Sequence, residues 1–372
     1  MSDELNYVLR SRRDKLDALV ARGILPFAYS YDRSHHAVDC VPLLGDADEG
    51  PEVRLAGRIV AWRAHGKTTF AHLGDPSGRV QLYLKKDVLG EDGWALCDLL
   101  DLGDVVGVQG PLFRTRTGEV TVRVERLVLL AKSLRPLPFG KEETVDGKVV
   151  RHSAFADGEQ RSRQRYADLA VHPEVRALFT ARSRMNAAVR SFLDGLDFLE
   201  VETPVLQSLY GGAAAKPFVT QHNALDMPLF LRIADELYLK RLVVGGFDRV
   251  YEIGHDFRNE GIDRTHNPEF TMLEFYEAYA DYTGMMDRVE ALLIAAATAV
   301  RDTLQAAGLS SDAPAFDPAV LQGPFPRVEW LPSLSRALHV PDVTKLTDAE
   351  LRAAADQVGV HNTGALSRPK LM

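Results

Sequence analysis

One stretch of the chain, Phe257 to Tyr276, packs arginines, acids, a histidine, an asparagine and aromatic rings into twenty positions, FRNEGIDRTHNPEFTMLEFY. Surface loops seldom hold so many rings, and cores seldom hold so many charges. If the second half is a β-strand, side-chain alternation puts Phe270, Glu274 and Tyr276 on one face. A buried carboxylate is costly unless a cation or several donors meet it. The stretch therefore predicts a ligand site in which Glu274 receives a cationic group beside aromatic rings.

The first half of the stretch supplies the opposite charge. As a strand, DFRNE puts Arg258 and Glu260 on one face, and a loop punctuated by Gly261 and Pro268 follows. If the two segments pair antiparallel, these groups converge on one sheet surface. Each residue alone is better explained by an internal arginine–glutamate pair. Together they favour a ligand site in which Arg258 clamps a phosphate, because its planar fork suits one better than lysine does, and Phe270 stacks on a base.

The chain as a whole has the composition of a soluble globular protein. Its 372 residues suffice for two to three domains, and 46% are hydrophobic and 26% charged. No run approaches the roughly 20 apolar residues of a membrane span, and the N-terminus shows no secretory signal, so we expect a cytoplasmic protein without membrane contact. Cys40 and Cys97 have neither metal nor disulfide spacing. The net charge of -8 argues against a generic polyanion binder but leaves room for a local patch.

Periodicity and turn residues divide the chain into elements. Residues 3–21 predict one amphipathic helix, with a solvated face as the simplest expectation for its basic residues, Arg10, Arg12, Arg13 and Lys15. From Val53 to Leu130, five short alternating runs predict a small all-β barrel with a helix near residues 92–100. A basic, proline-containing connector at residues 134–166 leads to a strong helix that starts at Pro173, and the strand-like FLEVETPVL follows it.

At this point the motifs resemble a known family. FRNEGIDRTHNPEFTMLEFYEAYADY resembles motif 2 of class II aminoacyl-tRNA synthetases, in the form found in lysyl-tRNA synthetases. ARGILPFAY is similar to the family's N-terminal segment, RSRQRYADL to its hinge and FLEVETPVL to motif 1, which forms the dimer interface of this class. The resemblance covers essentially the whole chain. A single FRxE would be weak evidence, but this ordered series is specific.

The resemblance implies an α+β multidomain fold. It places an N-terminal helix and lead-in at residues 1–52 and an OB-fold anticodon-binding β-barrel at residues 53–133. A hinge is expected at residues 134–172, and a class II catalytic domain with an antiparallel sheet at residues 173–372. The family's members are homodimers through the motif 1 region.

For the ATP site, the resemblance implies that Arg258 is the catalytic residue, binding the α-phosphate and the amino-acid carboxylate. Phe270 would stack on adenine, and Glu260 would accept from the adenine amino group. The remaining expected ATP contacts are His266 and Asn267. In the lysine pocket, Glu274 and Tyr276 would hold the side-chain ammonium. Glu236 would meet the α-amino group, and the backbone of Gly212 would line the pocket.

The same resemblance implies a reaction and its partners: ATP, L-lysine and tRNA-Lys, with Mg²⁺ as cofactor. Lysyl-adenylate would form by in-line displacement of pyrophosphate, and the lysyl group would then pass to the terminal ribose of the tRNA. Neither step needs a protein nucleophile, so positioning and electrostatic stabilisation would supply the rate. In the barrel, Phe70 would stack on an anticodon base, Gln81 and Glu119 would read base edges, and Arg63 would assist. By composition alone, a barrel-core phenylalanine and ordinary surface polar residues would be expected there.

Three positions depart from the family pattern: Asp235 stands where proline is usual, Lys216 where arginine is usual and Asp197 where glycine is usual. The sequence ends at ALSRPKLM, ahead of the glycine-rich motif 3 and the glutamates that hold Mg²⁺ in the family. We therefore expect no metal ligand within this chain. We also expect the 372-residue chain by itself to be inactive in lysine-dependent pyrophosphate exchange.

Three other functions deserve weighing. A paralogue that lysylates a translation factor lacks the barrel, so residues 53–130 argue against it. An aspartyl or asparaginyl enzyme shares barrel and core but should present cations to its substrate, whereas Glu274 beside Tyr276 suits an ammonium group. A non-catalytic tRNA- or partner-binding fragment is favoured by the missing motif 3, and the complete motif 2 counts against it.

Overall fold

The computed structural model describes residues 3–145, 148–152, 155–309 and 322–372, and the chain divides into two compact units, Met1–Arg176 and Ala177–Met372. The helices of the described residues are α1 (Asp3–Ala21), α2 (Cys40–Leu44), α3 (Lys86–Cys97), α4 (Gly158–Arg163), α5 (Arg165–Val171), α6 (Pro173–Asp194), α7 (Glu236–Val244), α8 (Tyr282–Ala306), α9 (Trp330–Ala337), α10 (Asp348–Gln357) and α11 (Arg368–Leu371). Short 3-10 helices lie at Ala37–Asp39, Val343–Lys345 and Thr363–Ala365. None of the described helices is long and apolar enough to cross a membrane.

The strands form four sheets. They are β1 (Glu49–His65), β2 (Thr68–Asp75), β3 (Gly78–Lys85), β4 (Val105–Arg114), β5 (Val120–Val124), β6 (Arg126–Ala131), β7 (Lys141–Val145), β8 (Lys148–His152), β9 (Leu199–Glu200), β10 (Leu206–Gln207), β11 (Val219–His222), β12 (Met227–Leu231), β13 (Arg249–Phe257) and β14 (Glu269–Glu277). The connector segment VDGKVVRHSAFAD, which includes the hairpin strand β8, lies partly outside the described residues.

The predicted barrel is confirmed. Its strands run in the order β1-β2-β3-β5-β4-β6, and an additional β1–β4 pairing closes the ring, as in an OB-fold. Burial alternates along β2, where Thr69, Ala71 and Leu73 fill the interior. The fifth predicted run is two strands rather than one, because the chain bends at Glu125 between β5 and β6. The helix expected near residues 92–100 is α3, which begins earlier, at Lys86, and is interrupted at Gly90, where φ is +71°.

The first helix forms where the periodicity placed it, but the expectation that its basic residues are solvated was wrong for two of them. Arg12 is buried and donates hydrogen bonds to the carbonyls of Ser133 at 2.6 Å and Leu102 at 2.9 Å. Lys15 pairs with Asp101 at 2.7 Å. These two cations hold the polar side of α1 against the carbonyls of Leu102 and Ser133 and the carboxylate of Asp101. Position along the helix, rather than charge, decides which basic residues are solvated.

In the second unit, β13 and β14 form a long antiparallel ladder, and β9 adds to β13 in parallel. The core beside this sheet contains Tyr251, Leu193 and Phe198. The strand predicted for FLEVETPVL was wrong for most of its length, since only β9 and the separate β10 form. Thr203 donates its backbone N–H and hydroxyl to the Glu252 carboxylate instead of to a ladder, at 3.1 and 2.7 Å. Pro204 then has no N–H to donate to a strand.

Candidate functional site

The β13–β14 ladder positions most of the groups singled out in the sequence. Its register sets Glu252 opposite Glu274 and Asp256 opposite Phe270, which confirms the antiparallel pairing. The expectation that DFRNE is all strand was wrong, because β13 ends at Phe257. The backbone N–H of Arg258 still donates to the carbonyl of Pro268 at 2.8 Å, so the pairing continues one step beyond the strands. Arg258 therefore lies at the open end of the ladder, next to Phe270.

Arg258 is poised over a ring and lacks part of its hydrogen bonding. Its guanidinium carbon lies 5.1 Å from the centroid of the Phe270 ring, within cation–π range. Its Nε is buried and has no hydrogen-bond partner among the described residues. A buried donor without a partner is costly, and an anionic oxygen from a ligand would satisfy it. The pair thus offers a flat apolar surface and a cation at one place.

The loop that joins the two strands is exposed and organised around Asp263. His266 places its Nδ1 2.8 Å from Asp263 Oδ2. The pKa of Asp263 is well below its usual range, chiefly because the backbone N–H of Thr265 donates to the carboxylate and His266 adds a second hydrogen bond. Glu260 and Asn267 are also exposed. The described contacts of His266 are all with residues of this loop, and none of them joins it to Arg258.

A half-buried carboxylate lies further along the same sheet face. Glu274 Oε2 accepts a hydrogen bond from the Tyr276 hydroxyl at 3.0 Å, and Oε1 accepts one from the backbone N–H of Asp235 at 3.3 Å. Burial, followed by the negative charge of Glu274, raises the pKa of Tyr276, so the hydroxyl keeps its proton and donates. No ion pair of Glu274 occurs in the parts of the chain that the structure describes. This carboxylate has neutral donors but no cation.

Gly212 and Glu236 are brought close to each other by the fold. Gly212 has a φ of +90°, and a Cβ there would lie only 3.0 Å from the Cβ of Glu236. Glycine is thus needed both for the backbone conformation and for the close approach. Glu236 begins α7 and is paired with Lys240 one turn later at 2.5 Å. Its charge also acts on Tyr276, which places Glu236 within electrostatic reach of Glu274.

Behind this pocket lies a buried cluster that the sequence analysis missed. Arg232 is 1% exposed and contacts three carboxylates. Its Nη1 lies 2.5 Å from Glu252 Oε1 and 2.9 Å from Asp235 Oδ1, and its Nε lies 3.2 Å from Asp256 Oδ1. The guanidinium crosses β13 at Gly254, where a Cβ would lie 1.8 Å from Nη2. The sequence pattern that could have predicted this cluster is the alternation Glu252–Gly254–Asp256, which places two acids on either side of a glycine on one strand face.

Burial and neighbouring charge both act on these acids. Burial and then the charge of Asp256 raise the pKa of Asp235, and the guanidinium of Arg232 only partly offsets them. Burial likewise raises the pKa of Asp256. The Glu252 carboxylate accepts hydrogen bonds from the Thr203 hydroxyl and from Arg232. The site therefore contains more carboxylate than its one buried guanidinium can neutralise.

A second cluster lies on the outer face of the barrel. Phe70 lies on the side of β2 that faces away from the buried residues, so the interpretation as a core phenylalanine does not hold. Its ring lies 5.0 Å from that of Tyr83, which lies 6.0 Å from that of Phe113. Arg63 is exposed and directly opposite Phe70 on β1. The face therefore presents a row of rings next to an arginine.

Beside the rings runs a polar row on the same face. Gln81 donates from Nε2 to Glu119 Oε2 at 2.7 Å and accepts from the Thr121 hydroxyl at 2.9 Å. The Glu119 carboxylate also lies 3.0 Å from His72 Nε2. The structure thus joins Gln81 and Glu119 directly. His72, like Tyr83, was missed, although alternation along β2 and β3 puts both on the predicted face.

Similarity to known proteins falls on both regions. Residues 53–130 match the family described as OB-fold nucleic acid binding domain, and residues 157–362 match tRNA synthetases class II (D, K and N). A lysine–tRNA ligase of Pelotomaculum thermopropionicum is 47% identical over 360 residues, covering 96% of this chain and 67% of that relative. A lysine–tRNA ligase of Oceanobacillus iheyensis is 42% identical, and the match covers 99% of this chain and 72% of that relative. A lysine–tRNA ligase of Christiangramia forsetii is 44% identical, and the match covers 97% of this chain and 62% of that relative.

Proposed function

Because the chain belongs to the family of class II tRNA synthetases, we propose that it is a lysine–tRNA ligase, which activates L-lysine with ATP and transfers the lysyl group to tRNA-Lys. The observation that carries the proposal is the arrangement on one sheet face of Arg258 over Phe270 and of the cation-free carboxylate Glu274. Four residues of strand separate Phe270 from Glu274, about 14 Å at 3.4 Å per residue. That span suits an aminoacyl-adenylate lying along the strand.

The pocket favours lysine over the other amino acids of this family. Glu274 and Tyr276 present a negative charge held by neutral donors, which an ammonium group complements. An aspartate side chain would instead meet like charge. The nearest buried cation, Arg232, already contacts three carboxylates and is not available to an acidic or amide substrate. Glu236, next to the backbone of Gly212, is suited to receive the α-amino group of the same amino acid.

In the first step, a carboxylate oxygen of lysine attacks the α-phosphorus of ATP, and the bond to pyrophosphate breaks. Arg258 contacts the α-phosphate and the lysine carboxylate in this proposal, and its unpartnered Nε supplies a charged donor where negative charge develops. Phe270, whose ring lies next to this guanidinium, stacks on the adenine. Glu260, His266 and Asn267 would contact ATP after the exposed loop closes on it. Positioning and charge stabilisation carry the step, with no protein nucleophile.

Lysine-specific enzymes of this family usually use Mg²⁺ with ATP. Among the residues that the structure describes, no group of three or more histidine, cysteine, aspartate or glutamate side chains is arranged to hold a metal ion. The acids nearest the pocket converge on Arg232 instead. The described residues therefore do not form a magnesium site.

In the second step, a hydroxyl of the terminal tRNA ribose attacks the lysyl carbonyl carbon, and AMP leaves. The barrel would select the tRNA for this step by binding its anticodon. Phe70 offers a stacking surface, worth about 1–3 kcal/mol per base. Gln81 and Glu119, already joined by a hydrogen bond, offer donor and acceptor groups to a base edge, and Arg63 offers charge to the backbone.

The region similar to motif 1 carries exposed apolar side chains in the second unit, which support a homodimer of this chain. They include Leu199, Val205 and Leu206, and Leu178 of the preceding helix α6 is exposed as well. Groups of this kind usually mark an association surface. The proposed function also implies a cytoplasmic location, where tRNA is aminoacylated. Sedimentation analysis of the purified protein should give a dimer, and Leu178→Glu should shift it to monomer.

Binding of a stable adenylate analogue tests the proposed activity directly. We expect the sulfamoyl analogue of lysyl-adenylate to bind the chain, and the aspartyl analogue to bind at least tenfold more weakly, since one ion pair gained or lost at a half-buried site is worth about 1.4 kcal/mol or more. Isothermal titration calorimetry measures both. Equal affinity for the two analogues would rule out a lysine-selective pocket.

A further inference from the structure

The buried acids around Arg232 present an unresolved charge balance. Asp235 and Asp256 are both 0% exposed. Their four carboxylate oxygens accept no hydrogen bond from any donor in the described residues, although Arg232 lies within ion-pair distance of each side chain. The better-oriented contacts of Arg232 go to Glu252 and to the carbonyl of His255. The two buried carboxylates of Asp235 and Asp256 therefore share one guanidinium that already hydrogen-bonds Glu252.

The neighbouring charges make full ionisation of both acids costly. Glu252 and Glu274 face them from β13 and β14, Glu236 follows directly in α7 with Lys240 beside it, and Tyr276 is neutral. Arg232 and Arg258 are the cations that act on Asp256. Both carboxyl groups contact the same guanidinium, Asp235 at 2.9 Å and Asp256 at 3.2 Å, and the charge of Asp256 acts on Asp235. Buried like charges in contact titrate as a pair that keeps one proton.

Asp235 connects this pair to the substrate side of the sheet. It is the N-cap residue of α7, so it immediately precedes Glu236. Its backbone N–H donates to Glu274 Oε1 at 3.3 Å. Asp235 and Glu274 therefore interact through both this hydrogen bond and their charges, and Glu236, the other carboxylate proposed to receive an amino group of lysine, is the next residue along the chain. Proline, the residue expected from the family pattern at this position, would offer neither the carboxyl group nor the N–H.

We propose that Asp235 is a positioning and specificity-determining residue for the cationic substrate: the Asp235–Asp256 pair holds one proton while the pocket is empty and releases it to solvent when an ammonium group binds beside Glu274. The proton leaves because the added positive charge favours the doubly ionised pair. Substrate binding is thereby linked to proton release, and the pocket gains a negative charge only when a cation is present to use it. This inference rests on the proposed lysine pocket.

Calorimetry of L-lysine binding to the full chain in two buffers of different ionisation enthalpy, phosphate and Tris, tests it. Near neutral pH, we expect the observed binding enthalpies to differ as required for release of about one proton per lysine, and affinity to rise with pH by up to about tenfold per unit below the pKa of the pair. Asp235→Asn keeps the backbone N–H and removes one of the two paired carboxylates, so its binding enthalpy should differ less between the two buffers, and its affinity should vary less with pH, than in the wild type. Asp248→Asn, an equal change at an exposed site of the same unit, should behave like the wild type.

The outcomes separate this inference from the proposed function. Lysine binding with no buffer dependence overturns the shared proton alone and leaves the lysine pocket standing. Absence of any lysine binding overturns the pocket and the inference together. If Asp235→Asn does not fold, the wild-type comparison still decides, together with the infrared carbonyl band of a protonated carboxyl group. That band should be present without lysine and lost when lysine is added, and its absence from the empty protein would overturn the inference.

Discussion

Glu252 and Glu274 lie directly opposite each other on β13 and β14, yet only Glu252 is paired with a cation. Like charges at directly opposed positions of a sheet destabilise it. Arg232 and Thr203 neutralise and hydrogen-bond Glu252, whereas Glu274 has only the Tyr276 hydroxyl and a backbone N–H. The empty protein thus keeps a destabilising carboxylate at the point where the proposed function needs one, as functional sites commonly do.

Glu274→Gln should therefore have opposite effects on stability and on lysine binding. We expect the free energy of unfolding to rise by roughly 0.2–1 kcal/mol, because the like-charge opposition is removed. Lysine affinity should fall at least tenfold, since the ammonium group loses its charged acceptor. Urea unfolding and calorimetry measure the two quantities. Glu269→Gln, at an exposed position of the same strand, is the matched control and should change neither by much. Unchanged lysine affinity in Glu274→Gln would remove this residue from the pocket.

Arg258→Lys tests whether the shape of the cation matters as well as its charge. Lysine keeps the charge but loses the planar fork and the buried Nε, so the lysyl-adenylate analogue should bind roughly tenfold more weakly or worse. Arg264→Lys, the same change in the exposed loop, should leave affinity within about twofold. Equal affinities for the two variants would mean that Arg258 does not touch the phosphate.

Phe70→Ala tests the barrel face. Loss of one stacking surface should weaken binding of a tRNA-Lys anticodon stem-loop by about 1–3 kcal/mol. The slope of log affinity against log salt should stay the same, because no phosphate contact is removed. Fluorescence anisotropy of labelled RNA measures both, with Thr117→Ala in the exposed β4–β5 turn as control. If the affinity of Phe70→Ala equals that of the control, the anticodon assignment to this face is wrong.

The sequence predicts the local pattern of both sites better than their long-range contacts. Alternation along β14 places Phe270, Glu274 and Tyr276 on one face, because strand geometry is a property of the segment itself. The expectation for Phe70 came from the family resemblance instead, since composition alone favoured a core position. Arg232 was missed because its carboxylate partners on β13 are 20 and 24 positions away in sequence, and only the fold brings them together. Burial of Arg12 was missed for the same reason, since its acceptors are 121 and 90 positions distant.

One departure from the family pattern finds its cause in the backbone. Asp197, which stands where glycine is usual, has a φ of +61°. That left-handed conformation favours glycine, and aspartate is among the few other residues that adopt it readily. For Lys216 the structure gives a backbone contact alone, its carbonyl accepting from the N–H of Asn259 at 2.8 Å, so the effect of this side chain stays a prediction.

Arg12→Ala measures how firmly α1 is docked. The variant leaves the carbonyls of Ser133 and Leu102 without their charged donor, so the free energy of unfolding should fall by about 1.5–3 kcal/mol. Arg13→Ala removes the neighbouring, exposed arginine of the same helix and should change stability by no more than about 0.5 kcal/mol. Urea unfolding of both variants gives the comparison. Equal effects would mean that the helix is held by its apolar face alone.

Asp168 should make the first unit sensitive to acid. Its buried carboxylate accepts from Arg161 and Arg165, and His172 Nδ1 lies 2.7 Å from Oδ1. Burial alone would raise the pKa of Asp168, but the hydrogen bonds from Arg161 and His172 outweigh it and lower the pKa below its usual range. A group whose pKa is lower in the folded state stabilises the protein above its unfolded-state pKa, about 3.9 for aspartate. That contribution is lost as pH falls through the lower, folded-state value.

We therefore expect wild-type stability to fall steeply below about pH 4, and Asp168→Asn to flatten that part of the profile. The same variant should be less stable at neutral pH by about 1–3 kcal/mol, because Arg161, Arg165 and His172 lose their shared charged acceptor. Urea unfolding at a series of pH values measures both effects. Asp17→Asn, at an exposed position of α1, should follow the wild-type profile throughout. A steep acid limb retained in Asp168→Asn would assign the acid sensitivity to other carboxylates.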